Sequence, residues 1–515
     1  MFMSKTLPRL LLPYISDRKD SYGKIPSIGL RDPSSPDLGR KKLVVEFSSP
    51  NIASEFHGKH LRSTILGAYI ANLYKNMGWD VVKINYLGDW GKQIGLLGVG
   101  WERFGLEEQF QADPIGHMLG VYNQIDQLFQ PELAASRAAR DSKGDPAAIE
   151  TQGLFAERNA FFKRMEDGDE EALALCKRFR YVSIKHYIKL YARLNVSFDE
   201  YSGESQVSPE TMAEVEDMLK SKGISEESDK SWVVDLEKHT GKPGIVIIRD
   251  RNGSRTYHLR ELAAVLDRSR KYSFDKMIYV VADDHDMHFS RIIKILELVG
   301  RSDLAHKLHH VHFNKGSQMS KKLGHGHMFG EILDQYQSAM HESLKANPEK
   351  AALLGDSDES AAAIGISALL TQELWAKRAS GHSFDIGKAT SFGRGTGPEL
   401  QYWYVRLCSI LKAASSNLSA LSDEDFTPIE EEKYTELLRI LAQYPDITSS
   451  SYKTLESPTI MLYLVNVTDQ LSICLETEEG QTEASPTPAE AALFEIVRQV
   501  LENGMMLLGI RPATR

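Results

Sequence analysis

Val44-Val45-Glu46-Phe47-Ser48-Ser49-Pro50-Asn51, followed by His57-Gly58-Lys59-His60 and closed by Asn85-Tyr86-Leu87-Gly88-Asp89-Trp90-Gly91, is the stretch on which the fold turns. Val44, Val45 and Phe47 form a β-prone run. Leu61, Ile65, Leu66, Tyr69, Ile70 and Leu73 recur at helical spacing, and a second apolar run extends from Val81 to Leu87. Together they predict one βαβ unit of a parallel sheet, with the histidine pair on the loop after its first strand. Ligands of such sheets sit at the carboxyl ends of the strands, beside helix N-termini whose free N–H groups favour anions. Histidines placed there are within reach of a nucleoside triphosphate.

Two histidines in a short loop are commonly hydrogen-bonding loop residues, and an HxxH spacing alone carries little. The surroundings carry more. The run Glu46 to Asn51, His57 to His60, Leu61-Arg62-Ser63-Thr64 and Asn85 to Gly91 closely resembles arginyl-tRNA synthetases of the fungal type, a family of class I aminoacyl-tRNA synthetases. Gln318-Met319-Ser320-Lys321-Lys322 lies after the apolar strand expected at Val311 to Phe313 and before a helix expected near Met328. It resembles the family's mobile lysine loop. Adenylate formation gathers negative charge on phosphate oxygens, and donors aimed at that charge are the largest single catalytic contribution. The resemblance makes His57, His60, Ser320 and Lys321 the catalytic group, and His57, His60, Met319 and Lys321 the ATP contacts.

The same resemblance places the arginine pocket at Ser49, Asn51, His60, Tyr257, Glu261 and His285. A guanidinium asks for a carboxylate in bidentate reach with amide or hydroxyl partners. Glu261 stands where the family has aspartate, and a carboxylate displaced by about 1 Å can cost roughly 100-fold in rate. His285 replaces a glutamine inside Asp283-Asp284-His285-Asp286, a short acidic run of a kind usually just solvated. Lys59 replaces the glycine that lets adenine approach the backbone. Many relatives carry a lysine where this chain has Ser54 and lack one in the second loop, so Lys321 reads as the alternative placement of the same charge.

The 515 residues are long enough for about three domains, and a 42% hydrophobic content supports real cores. A formal charge of −10 argues against a protein that coats nucleic acid, while leaving room for local basic faces. Cys176, Cys408 and Cys474 are too few and too scattered for a disulfide framework or a zinc site, and no metal ligand set is expected. No apolar run reaches membrane-spanning length. Asp17, Asp20 and Pro8 weaken a targeting reading of residues 1–20. The cytoplasm is expected, with room for a mitochondrial pool.

The expected fold is α/β: a Rossmann-like doubly wound parallel sheet forming the catalytic domain, with a helical insertion, followed by an all-α anticodon-binding domain. Residues 1–41 read as an extended Pro-rich arm, too short for the folded N-terminal domain with which relatives grip the tRNA corner. Residues 42–335 form the catalytic domain, with the insertion at about 96–230 and strands returning at Trp232 to Leu236, Ile245 to Arg249 and Met277 to Val281. Residues 336–515 resemble the family's helical domain through Gly395-Thr396-Gly397-Pro398, Gln401-Tyr402 and the closing Asn503 to Gly509. Tyr402 and Arg406, with Trp403 and Tyr404, mix aromatic and cationic groups suited to unpaired tRNA bases. Leu400, Tyr404, Leu407 and Leu411 also fit an apolar helix face, so part of that cluster reads as core.

The resemblance implies ATP-dependent activation of L-arginine and its transfer to tRNA, with Mg and ATP, tRNA bound before the first step, and a monomer. Two alternatives stay open. A synthetase-derived enzyme would pass the arginyl group to another amine, forming a dipeptide or cyclodipeptide. A paralogue without catalysis would only bind tRNA.

Overall fold

The computed structural model describes residues 2–52, 56, 58–142, 144–241, 243–314, 329–381, 384–412, 422–475 and 485–513, except the side chains of residues 2–5, 59 and 423. Among the described residues eight strands follow in chain order: β1 Lys42–Phe47, β2 Asp80–Leu87, β3 Glu200–Gly203, β4 Ser225–Ser228, β5 Ser231–Asp235, β6 Ile245–Arg249, β7 Lys276–Val280 and β8 Leu308–His310. Five form one parallel sheet in the order β3-β2-β1-β7-β8. From β1 the chain winds outward to β2 and β3 on one side, then returns to β7 and β8 on the other. The switch point of this doubly wound sheet lies between β1 and β7, and ligands of such sheets bind there.

Side-chain alternation along β1 decides what each face meets. Leu43, Val45 and Phe47 join the larger core with the helix Gly58–Asn76, whose Leu61, Ile65 and Leu66 are buried. Burial of each such side chain is worth about 1.5–3 kcal/mol. A Cβ on Gly67 would lie 2.2 Å from the Phe47 ring, so the close seating of helix on strand needs glycine. Val44 joins the second core, with Ile84, Met277, Tyr279 and the helix Tyr257–Tyr272. Glu46 shares that parity, which puts a carboxylate among buried groups.

The strand pattern differs from expectation in three places. Glu200–Gly203 is a strand of the parallel sheet, paired only with β2, inside the region expected to be a helical insertion. An edge strand of four residues has one neighbour and needs no apolar run, so periodicity does not reveal it. The runs at Trp232 and Ile245 do not enter the parallel sheet. They form a separate antiparallel sheet, β4-β5-β6, in which Ile245 and Ile247 are exposed while Val246 and Ile248 are buried. The strand expected at Val311 to Phe313 falls earlier, at Leu308–His310, with only an isolated bridge from Phe313 to Ala282 beyond it.

The N-terminal segment is not an extended arm. Phe2–Ser16 is helical despite Pro8 and Pro13, and its Leu12 and Ile15 are buried. Arg9 pairs with Glu430 at 2.7 Å, and Tyr22 donates to the Leu441 carbonyl at 2.9 Å. Docking onto the C-terminal helices outweighs the poor local propensity. Helical segments occupy the described chain from Phe329 onward, among them Gly397–Lys412, Glu432–Ala442, Pro458–Leu475 and Pro488–Leu507. Asp423–Glu430 is a 3-10 segment capped by Ser422 and Asp425.

Candidate active site

The chain leaves β1 in an uncommon conformation. Ser48 (φ 69°) and Ser49 (φ 45°) are both left-handed, which costs non-glycine residues about 1–3 kcal/mol each and persists only where neighbours impose it. Those neighbours are on the first turns of Gly58–Asn76. Ser63 Oγ accepts from Ser48 N at 2.8 Å and donates to the Val280 carbonyl at 2.6 Å, joining the ends of β1 and β7 across the switch point. Thr64 donates to Ser48 Oγ at 2.8 Å, and Tyr191 shares a 2.6 Å hydrogen bond with it. Ser49 Oγ then accepts from Tyr86 N at 3.2 Å, and Asn51 donates to Gln93. A Cβ on Gly88, just after β2, would stand 3.3 Å from Asn51 Cα, so glycine there admits the Asn51 backbone.

These turns open onto a cavity of about 330 Å³ at the carboxyl ends of the strands. Ser49, Asn51, His60, Tyr257, Glu261 and His285 all line it, so six residues spread over more than two hundred positions converge on one space. Tyr257 begins its helix and is 56% exposed, its ring 4.0 Å from that of His258. Glu261, one turn further on, is buried. Its Oε1 lies 3.3 Å from Arg268 Nη1, and Glu46 Oε2 lies 2.7 Å from Arg268 Nη2. Burial outweighs the Arg268 guanidinium and pushes the Glu46 carboxyl up to about 7. Glu204 is pushed up to about 8 by burial, against the pull of Arg260. His285 is half exposed, with Nε2 3.8 Å from Asp284, and alone of the acidic run Asp283 to Asp286 reaches the cavity. His60 enters from the third residue of its helix, its ring 5.3 Å from Phe56. Asp89 builds the wall without lining it. Fully buried, it accepts from Arg180 at 2.7 Å and from Ser205 N and Oγ at 2.8 and 2.7 Å, which holds neighbouring Glu204 in place.

Residues 30–386 match the model "tRNA synthetases class I (R), catalytic domain", and residues 400–515 match "DALR anticodon binding domain". The chain belongs to the arginyl-tRNA synthetase family. The cytoplasmic arginine–tRNA ligase of Saccharomyces cerevisiae is 42% identical over 517 residues, spanning all of this chain and 81% of that protein. The mitochondrial arginine–tRNA ligase of the same yeast is 37% identical, spanning all of this chain and 76% of the relative. Arginyl-tRNA synthetase from Thermus thermophilus superposes with a TM-score of 0.73 at 19% identity, covering 99% of this chain and 85% of that one, a likeness of fold.

Of the residues expected from sequence, the synthetase brings together the six assigned to the amino-acid pocket. His57, Met319, Ser320 and Lys321 lie outside the described residues, as do Ser54 and the Lys59 side chain. Tyr402 and Arg406 sit on Gly397–Lys412, away from the cavity. Tyr402 and Trp403 are half-buried, Lys350 Nζ lies 5.4 Å from the Tyr402 ring, and Arg406 stands 5.3 Å from the Trp403 ring. Leu400, Tyr404 and Leu407 are buried, as an apolar face requires. Among the described residues, no helix is long and apolar enough to cross a membrane.

Sequence reading missed Glu46, Glu204, Arg268 and His288 around the cavity. For Glu46 the signal was present: a charged residue inside an apolar strand, on the Val44 face. Glu204 follows the short edge strand and had no such signal.

Proposed function

We propose that the chain is an arginine–tRNA ligase, which activates L-arginine with ATP and transfers it to tRNA(Arg). One observation carries the amino-acid half. Glu46, Glu204 and Glu261 line the cavity, and among its described lining residues there is no lysine or arginine. Arg268 reaches Glu46 and Glu261 from behind and offsets only one of their two formal charges, which suits a permanently charged planar guanidinium. Glu46 and Glu261 are its carboxylate partners, with Tyr257 and His285 at its flank. Ser49 and Asn51, held in the strained turn after β1, take the α-amino and carboxylate end, and His60 stands where that end meets the nucleotide.

In the first step an arginine carboxylate oxygen attacks the α-phosphorus of ATP, the bond to the bridging oxygen breaks, and pyrophosphate leaves with the electron pair. ATP enters with Mg held by its own phosphates, and the ion counts with the substrate. His60 donates to the developing phosphate charge, and the family resemblance adds His57, Ser320 and Lys321 to that group and Met319 to the ATP contacts. In the second step a hydroxyl of the terminal tRNA adenosine attacks the arginyl carbonyl, the acyl–phosphate bond breaks, and AMP leaves. Tyr402 and Arg406, on the helical domain of residues 336–515, contact the tRNA, and the chain acts as a cytoplasmic monomer. The named relatives include cytoplasmic and mitochondrial enzymes.

Incubation of the full chain with ATP, labelled arginine and tRNA, followed by identification of the acylated product, tests the proposal. Arginyl-tRNA is the expected product. Transfer of arginine to a free amine, or tRNA binding without AMP release, would overturn it.

A further inference from the structure

A second constellation lies behind the cavity wall, where no sequence motif pointed. β8 ends at His310, and the extended chain beyond it is pinned to β7 by Val311 N donating to the Tyr279 carbonyl at 2.8 Å, and to the turn after β7 by Asp283 N donating to the Phe313 carbonyl at 3.0 Å. His310 and His312, two residues apart on this segment, point to the same side. Asp286, the first residue of the helix Asp286–Leu298, faces them. Its Oδ1 lies 2.9 Å from His310 Nδ1 and 3.4 Å from His312 Nδ1.

The hydrogen-bond roles make this arrangement informative. His310 Nε2 lies 3.0 Å from the Val281 carbonyl, which can only accept, so Nε2 carries the hydrogen. In the neutral ring Nδ1 is then a bare lone pair, directed at a carboxylate oxygen 2.9 Å away. At that distance either a second ring proton or a metal cation must lie between the two atoms. The ring is not free to turn away, since it packs 4.5 Å from the Phe289 ring. A second imidazole nitrogen converges on the same oxygen, and the three ligand atoms all lie within 4.8 Å of one another.

We propose that Asp286, His310 and His312 form a binding site for a zinc-class divalent cation, independent of the nucleotide's Mg and of the proposed ligase reaction. Two imidazoles and one carboxylate are borderline ligands of the zinc type, whereas Mg and Ca select oxygen. Tetrahedral sites with bonds of about 2.0–2.1 Å separate their ligand atoms by roughly 3.3 Å, near the two contacts to Asp286 Oδ1. Three protein ligands leave one position for solvent, and Asp286 and His312, each about half exposed, provide the entry path. An ion there ties the start of Asp286–Leu298 to the end of β8, immediately behind His285, Val281 and Phe313 of the cavity wall.

The test uses the full chain, stripped with a chelator and titrated with Co²⁺, whose visible absorption reports low coordination by nitrogen and oxygen. One Co²⁺ per chain is expected, displaced by Zn²⁺ and not by excess Mg²⁺, with Zn²⁺ raising the Tm. His312→Ala and Asp286→Asn alter half-exposed positions, and circular dichroism checks their folding. Each should weaken binding by about 100-fold or more, while His309→Ala, at an exposed histidine on β8, should bind like the parent. Equal Co²⁺ affinity in the parent, His312→Ala and Asp286→Asn would overturn the site. So would a parent that binds neither ion. Either result would leave Asp286 and His310 as an ion pair with a protonated imidazole.

Discussion

Replacing Glu46 by glutamine removes one negative charge from the cavity and little else. Arg268 keeps Glu261 at 3.3 Å as counterion, and the Glu46 carboxyl, raised to about 7, already carries a proton part of the time near neutrality. Fold stability should therefore change little, with the Tm moving a few degrees at most. Arginine recognition should change far more. At an effective dielectric of about 20, unit charges about 4 Å apart attract by about 4 kcal/mol, an upper bound, and a hydrogen bond to a charged group is worth about 1.5–3 kcal/mol. The arginine KM should then rise about 10- to 100-fold, at about 1.4 kcal/mol per tenfold. The guanidinium binds the ionised carboxylate, so arginine affinity in the parent should rise from about pH 6 to about pH 8 and then level, releasing protons on binding. In Glu46→Gln that rise should be shallower. Calorimetric titration of the full chain with L-arginine across this range, with KM from arginyl-tRNA formation, reads both. A variant within about threefold of the parent KM, with the same pH profile, would refute the placement of the guanidinium against Glu46.

Glu261→Asp should leave the arginine KM within about tenfold, because the carboxylate keeps its charge, whereas Glu261→Gln should raise it more than about tenfold by turning a charge-assisted contact into a neutral one. Steady-state kinetics on both variants decide. His60→Ala should slow arginyl-tRNA formation by roughly 100-fold, the worth of one preorganised donor, in single-turnover assays that exclude product release. Glu204 holds its proton to about pH 8 when folded and to 4.5 when unfolded, so its favourable contribution is complete below pH 4.5 and is lost as pH rises through about 8. Denaturant titrations should show stability falling across that window by up to about 1.4 kcal/mol per pH unit from this group, and Glu204→Gln should flatten the fall. Arg62 and Glu373 form an ion pair with both side chains only 1% exposed, joining Gly58–Asn76 to Asp358–Leu374. Glu373→Ala should destabilise the chain by about 3–5 kcal/mol in chemical denaturation, since a buried guanidinium loses its carboxylate.

Short stretches of sequence determined the centre of this protein. Apolar runs at β1 and β2 and helical spacing between them are short-range features, so one βαβ unit could be read directly, and the motif residues after each strand placed Ser49, Asn51 and His60 through the family resemblance. The tyrosine that opens Tyr257–Tyr272 and the glutamate one turn on were reached through the family resemblance. Tertiary structure decided what depends on a single distant neighbour. Glu200–Gly203 is a strand because β2 offers it an edge, and the prolines of Phe2–Ser16 are tolerated because Leu12 and Ile15 are buried on helices some four hundred residues away. The charge state of the pocket belongs to the same class. Glu46 and Glu261 meet over Arg268, and Asp286 meets His310 and His312, only after the sheet has closed, because electrostatic coupling depends on distance and burial, which folding sets and sequence separation does not.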